Sequence, residues 1–242
     1  MKVLVTGASQ GIGRETARRL ARDGADLALH FFRHRTEADE LAREISEMGR
    51  EAFPVRADLG ARSDARALAS AVREHWGQLD GLVLNAGVYP RRAFRDLTDD
   101  EVEACFRVNV FGPITLLREL LPLLERSPRG RIVLVSSVLA FTGSRHGAHY
   151  AASKAALVGL ARSLSRELAP RISVNAVAPG SIDTAILADD TPEVRSRRID
   201  SIPLGRIGTP HDVADAIAYL LSPGSEYVTG TTVHVNGGLW VG

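Results

Sequence analysis

Seven short apolar runs, separated by longer stretches with helical spacing, constrain the fold of this chain more than any other feature. "KVLVT" (2–6), "DLALHFF" (26–32), "EAFPVRAD" (51–58), "DGLVLNAG" (80–87), "GRIVLVSS" (130–137), "RISVNAVAP" (171–179) and "TTVHVNGG" (231–238) read as strands. Between them, 13–24, 36–49, 62–77, 99–125, 148–169 and 210–222 read as helices. In 13–24, Ala17, Leu20 and Ala21 share an inward face and arginines point outward. Thr36 is the expected N-cap of the second helix, and Gly24 and Gly49 are expected stops. Gly112-Pro113 is expected to kink or interrupt 99–125, and Pro54 points to an edge strand. Residues 181–208 are less regular and rich in charge. Strands alternating with helices place the chain in the α/β class, as a parallel sheet covered on both faces with right-handed crossovers. No linker or repeat divides it, so 1–242 is expected to be one domain.

The first strand runs into "TGASQGIG" (6–13), which opens the first helix. Glycines at 7, 11 and 13 allow a tight turn and a close backbone approach to a pyrophosphate. The helix N-terminus adds free N–H groups and partial positive charge. A plain glycine turn is the bland alternative, but its place in a doubly wound pattern favours a dinucleotide. An NAD-binding fold usually puts an acid at the end of the second strand, to hold a ribose hydroxyl. Here that region reads "HFFRHR" (30–35), with Phe31 and Phe32 at the place and Arg33 and Arg35 following. Arginine suits a 2′-phosphate, so NADP(H) is expected over NAD(H).

Of 30 Lys and Arg residues only Lys2 and Lys154 are lysine. Lys154 stands four residues after Tyr150 in a predicted helix, so the two share a face. A compact ammonium can sit beside a phenol and still donate to a ribose hydroxyl, which a planar guanidinium does less well. A neighbouring cation favours the phenolate, and so is expected to bring Tyr150 nearer to a working acid/base. Ser137 ends the fifth strand, at the sheet edge where ligands of open α/β folds bind. Asn85 and Asn109 are amides in apolar contexts, and each alone reads first as a structural hydrogen-bonder.

Taken in order, "TGASQGIG", "NAG" (85–87), Asn109, Ser137, "YAASK" (150–154) and "PG" (179–180) resemble the short-chain dehydrogenase/reductases, over nearly the whole chain. The tail 202–238 is similar to that of 3-oxoacyl-[acyl-carrier-protein] reductases. The resemblance implies a Rossmann-like, doubly wound, seven-stranded parallel sheet and a substrate lid at about 181–208. It implies Tyr150 as acid/base, Lys154 lowering its pKa and holding the nicotinamide ribose, Ser137 orienting the carbonyl, and Asn109 supporting a water-linked proton relay. It assigns the cofactor to Gly7, Ser9, Gln10, Gly11, Ile12 and Gly13, to Arg33, Arg35, Asp58 (adenine) and Leu59, and to Asn85, Ala86 and Gly87. Pro179, Gly180, Ile182 and Thr184 complete that set, with Thr184 on the nicotinamide amide. Many NADP-preferring members carry Arg or Lys where this chain has Gln10.

The expected activity is NADPH-dependent reduction of a ketone, a 3-oxoacyl thioester on acyl carrier protein being the leading substrate. A dehydrogenase of a sugar, polyol or other small secondary alcohol is the enzyme alternative. A cofactor-binding regulator or scaffold is the non-enzyme one, disfavoured by the complete Asn109–Ser137–Tyr150–Lys154 set. The mouth of the site reads as basic, from "YPRR" (89–92) and "GSRHGAH" (143–149); farther out, the resemblance implies Arg129 and Arg171 as carrier-docking residues. A net charge of +1 gives no global pull toward nucleic acid or membrane, and no metal-ligand cluster is visible. The single Cys105 suits a reducing cytosol, and no apolar run approaches the roughly 20 residues of a membrane helix. A cytoplasmic homotetramer, or at least a dimer, is expected, partly because 99–125 and 148–169 are apolar on more than one face.

Overall fold

The computed structural model describes residues 1–242. Its strands are β1 (Lys2–Val5), β2 (Asp26–Phe31), β3 (Ala52–Arg56), β4 (Gly81–Leu84), β5 (Gly130–Val135), β6 (Ile172–Pro179) and β7 (Thr232–Val235). They form one sheet in the order β3-β2-β1-β4-β5-β6-β7, with every pair parallel. The chain starts mid-sheet, winds out to β3, crosses back to β4 and winds out to β7. That reversal opens a crevice at the carboxyl ends of β1 and β4.

The helices are α1 (Gly11–Arg22), α2 (Arg35–Glu47), α3 (Arg62–Trp76), α4 (Asp99–Phe106), α5 (Gly112–Leu124), α6 (Leu139–Thr142), α7 (Ala148–Glu167), α8 (Pro192–Ser201) and α9 (Pro210–Leu221). Strand side chains alternate between the two faces. Val3, Val5, Val83, Val133 and Val135 pack with Leu20 of α1, Leu41 of α2 and Ile217 of α9. Leu4, Leu82, Leu84, Ile132 and Leu134 pack with Leu68 of α3, Leu116 of α5 and Leu157 of α7. Each such side chain contributes roughly 1.5–3 kcal/mol by leaving water. The sheet is therefore held from both sides, and its carboxyl edge is a rigid shelf.

Pro54 lies in β3, an edge strand, as its missing N–H requires. Other expectations shift. Helix α2 begins at Arg35 with His34 before it, and Thr36 makes no cap. The break in the long helix comes before Gly112-Pro113. A π-helical stretch, Arg107–Phe111, joins α4 to α5, and Pro113 falls in the first turn of α5, where its missing N–H is harmless. Residues 181–208 contain a helical turn, Ala185–Leu187, and the helix α8 capped by Thr191. The short α6 also went unread, because four residues carry no periodicity.

Candidate active site

A cleft of about 1170 Å³ runs along the carboxyl edge of the sheet. Its nucleotide end is built from backbone. A Cβ on Gly13 would stand 2.1 Å from Gly7 O, so α1 can pack against the turn only with glycine there. The first turn of α1 has no side-chain cap and no acid, which leaves its N–H groups for an anion. His30 is buried beneath the turn. Gly7 N donates to His30 Nδ1 at 3.1 Å, which leaves Nε2 to donate to Ala57 O at 3.1 Å. Burial pushes this imidazole down to about 4, so it is a neutral strut. Asn85 Nδ2 donates to Thr6 O (2.9 Å) and Gly7 O (3.3 Å), tying β4 to the same turn. These residues fit a dinucleotide: the cradle exists only because position 13 lacks a side chain.

Gly7, Gln10, Gly11, Ile12, Arg33, Asp58, Leu59, Asn85, Ala86, Gly87, Pro179, Gly180, Ile182 and Thr184 all line the cleft. The stretch after β6 crosses toward the turn, and Thr184 Cγ2 would lie 3.3 Å from a Cβ on Gly11. Three expected cofactor residues do not line it. Ser9 is buried, Gly13 is spent on packing, and Arg35 pairs with Asp39 in solvent at 3.3 Å. Arg35 belongs to the first turn of α2, and that helix carries its side chain away. Arg14, which the sequence reading passed over, lines the cleft and donates to Glu37 O at 3.0 Å.

The other end is built from side chains. Ser137, Tyr150 and Lys154 line the cleft, each less than a tenth exposed. Lys154 Nζ donates to Val135 O at 2.8 Å and lies 5.8 Å from the centre of the Tyr150 ring. Burial pushes Lys154 down to about 8. Burial also pushes Tyr150 up to about 12, with Ser137 acting in the opposite direction. The expected lowering of the phenol by Lys154 is thus reversed in the folded chain. Desolvation of the phenolate dominates, and the ammonium is engaged by a carbonyl.

Asn109 sits in the π-helical stretch, fully buried and outside the cleft lining. Its Oδ1 accepts from Val88 N (2.8 Å), and its Nδ2 donates to Val88 O (3.0 Å) and Ser153 Oγ (3.0 Å). Ser153 donates in turn to Tyr150 O at 2.7 Å. The amide therefore clamps the segment after β4 to α7. Ser153 was legible only as a hydroxyl in an apolar helix. Arg129 and Arg171 precede β5 and β6, at the edge of the sheet opposite the cleft, and Arg129 is paired with Glu226. Neither flanks this chain's own mouth, whereas Arg91, Arg145 and His146 do.

Residues 7–240 match the family model described as enoyl-(acyl carrier protein) reductase. The chain is 40% identical to 3-oxoacyl-[acyl-carrier-protein] reductase FabG of Aggregatibacter actinomycetemcomitans, covering 98% of each chain. It superposes at a TM-score of 0.93 on a Brucella melitensis structure described as a short-chain dehydrogenase/reductase, glucose/ribitol dehydrogenase (33% identity, 100% of this chain, 97% of that one). The chain belongs to the short-chain dehydrogenase/reductase family. A family member from Burkholderia cenocepacia, solved with NADP, matches equally well at 0.93 (36% identity, 98% of this chain, 96% of that one). Membership makes the protein an NAD(P)-dependent oxidoreductase. None of its helices is long and apolar enough to cross a membrane.

Proposed function

We propose that the protein is an NADPH-dependent ketoreductase whose substrate is a 3-oxoacyl thioester on acyl carrier protein. Tyr150 carries this reading. Its phenol lines the cleft together with Ser137 and Lys154 at the carboxyl edge of the sheet, where it can give a proton to the oxygen of a ketone being reduced. The nicotinamide, when bound, supplies the hydride. Ser137 holds the carbonyl oxygen beside the phenol, and Lys154 holds the nicotinamide ribose. Asn109 positions α7 and supports the proton path behind Tyr150.

The first turn of α1 takes the pyrophosphate, with Gly7, Gln10, Gly11 and Ile12 against it, while Ser9 and Gly13 shape the turn. Asp58 and Leu59 hold the adenine. Asn85, Ala86 and Gly87 line the path to the nicotinamide, with Pro179, Gly180, Ile182 and Thr184 opposite. Arg33 and the absence of an acid at the end of β2 favour the 2′-phosphate, in keeping with the NADP-bound relative. The FabG relatives support a carrier-linked substrate, and Arg145 gives the mouth a matching charge. We place the enzyme in the cytoplasm as a homotetramer, with the apolar faces of α4, α5 and α7 as contacts.

The test is NADPH oxidation with acetoacetyl carrier protein, with the same acyl group on a small thioester, and with an enoyl thioester as control. The carrier-linked ketone should react fastest, and its advantage should shrink at high salt. Reduction of the enoyl thioester alone would overturn the reading. A carrier-independent rate would leave a general ketoreductase. Arg33→Asp should move preference toward NADH.

A further inference from the structure

Tyr89 is not part of the assigned set, yet the fold makes room for it beside Tyr150. The two rings lie 4.2 Å apart, tilted by 32°. A Cβ on Gly147 would stand 2.6 Å from Tyr89 Cε2, so this stack requires glycine at the start of α7. The Arg91 guanidinium lies 5.7 Å from the centre of the Tyr89 ring and is itself anchored to Ile186 O at 3.0 Å. Arg92 N donates to His146 O at 2.9 Å, tying the Tyr89 loop to the loop before α7. Tyr89 is thereby held in one place.

Its hydroxyl lies 3.1 Å from Ser144 Oγ, and both residues line the cleft. Neither hydroxyl makes another hydrogen bond within the protein. If Tyr89 donates to Ser144, the serine hydrogen is free. If Ser144 donates, the phenol hydrogen is free. In either arrangement one O–H remains for an acceptor in the cleft, one ring-stack away from Tyr150. A simple ketone has no second oxygen to offer it.

We propose that Tyr89 and Ser144 form a second oxygen-binding position beside Tyr150, which selects ketones carrying a further carbonyl close to the reacting one. The inference rests on the ketoreductase reading, but it concerns residues of this chain on which that reading does not depend.

Ethyl 3-oxobutanoate and 2-heptanone have backbones of equal length and differ at the second carbonyl and the ester oxygen. The ratio of their kcat/KM values measures the proposed position. The unmodified protein should prefer the dicarbonyl. Tyr89→Phe keeps the ring stack and, combined with Ser144→Ala, should lower the ratio by roughly 10-fold, the worth of one hydrogen bond. Ser144→Ala alone should lower it less, since the phenol can turn to the substrate. Equal losses on both ketones would mean that the pair only supports Tyr150, and would overturn the proposal while leaving ketone reduction intact. An unmodified protein without preference would overturn it too. A protein inactive on both ketones and on acetoacetyl carrier protein would overturn the ketoreductase reading, and this inference with it.

Discussion

Lys154 and Asp183 stand on opposite sides of one cleft and are held in opposite ways. Lys154 is 4% exposed, donates to Val135 O, and its own carbonyl accepts from Ser136 Oγ at 2.8 Å. Around it Asn109, Ser153 and Tyr150 are joined by hydrogen bonds that leave no slack. Asp183, in the segment that crosses the cleft, pairs with Arg195 of α8 with its side chain 54% exposed. That segment buries little: α8 has no buried residue, and a cluster of only Leu187, Ile202 and Ile207 lies beneath it. The floor is over-determined because the acid/base geometry tolerates no drift. The strap is held less by apolar packing than by ion pairs, Asp183 with Arg195 and the buried Asp190 side chain with Arg198 and Arg91.

The largest contrast should come from the floor itself. Tyr150→Phe removes the transferable proton and keeps the ring stack. We expect kcat to fall by roughly 10²–10⁴-fold while cofactor affinity, read by fluorescence titration, changes little. Lys154→Arg keeps the charge but forces a planar guanidinium into a sealed site shaped for an ammonium. It should lose most activity and melt at a lower temperature. Near-normal turnover would mean that the floor is looser than its hydrogen bonds imply.

Two further changes test rigidity through stability. Asn109→Leu is close in volume, but it removes the hydrogen-bond partner of Val88 N–H, of Val88 O and of the buried Ser153 Oγ. Urea denaturation should show a loss of about 3 kcal/mol. His30 makes a pH-dependent contribution. Its folded pKa, about 4, lies below the unfolded value of 6.5, so the unfolded chain binds the extra proton. The stability is complete above about pH 6.5 and is lost as pH falls through 4, by roughly 3 kcal/mol in all. Denaturation midpoints at pH 7.5 and 5 should differ in the unmodified protein and differ much less in His30→Asn.

The smallest effect should come from the strap. Asp183→Asn breaks an exposed ion pair and should cost less than about 0.5 kcal/mol. A loss as large as that of Asn109→Leu would erase the distinction between floor and strap.

Local pattern was enough to place the seven strands, the main helices and the glycine turn, because burial on a sheet and helical periodicity are written in neighbouring residues. It also put Tyr150 and Lys154 on one helix face, since residues four apart must meet there. It could not say what the folded chain does with them. Lys154 Nζ meets Val135 O, and Asn109 reaches Ser153 across 44 residues of sequence. Tyr89 comes to Ser144 across 55. The upward shift of Tyr150 follows from burial, which overrides the neighbouring cation on which the spacing argument relied. Arg35 is turned to solvent by the helix it begins, and Arg129 and Arg171 fall at the far edge because they precede their strands. Spacing along the chain sets which side chains can share a face. Desolvation and contacts between distant segments exist only once the sheet has closed over its core, and they decide protonation, hydrogen-bond partners and access.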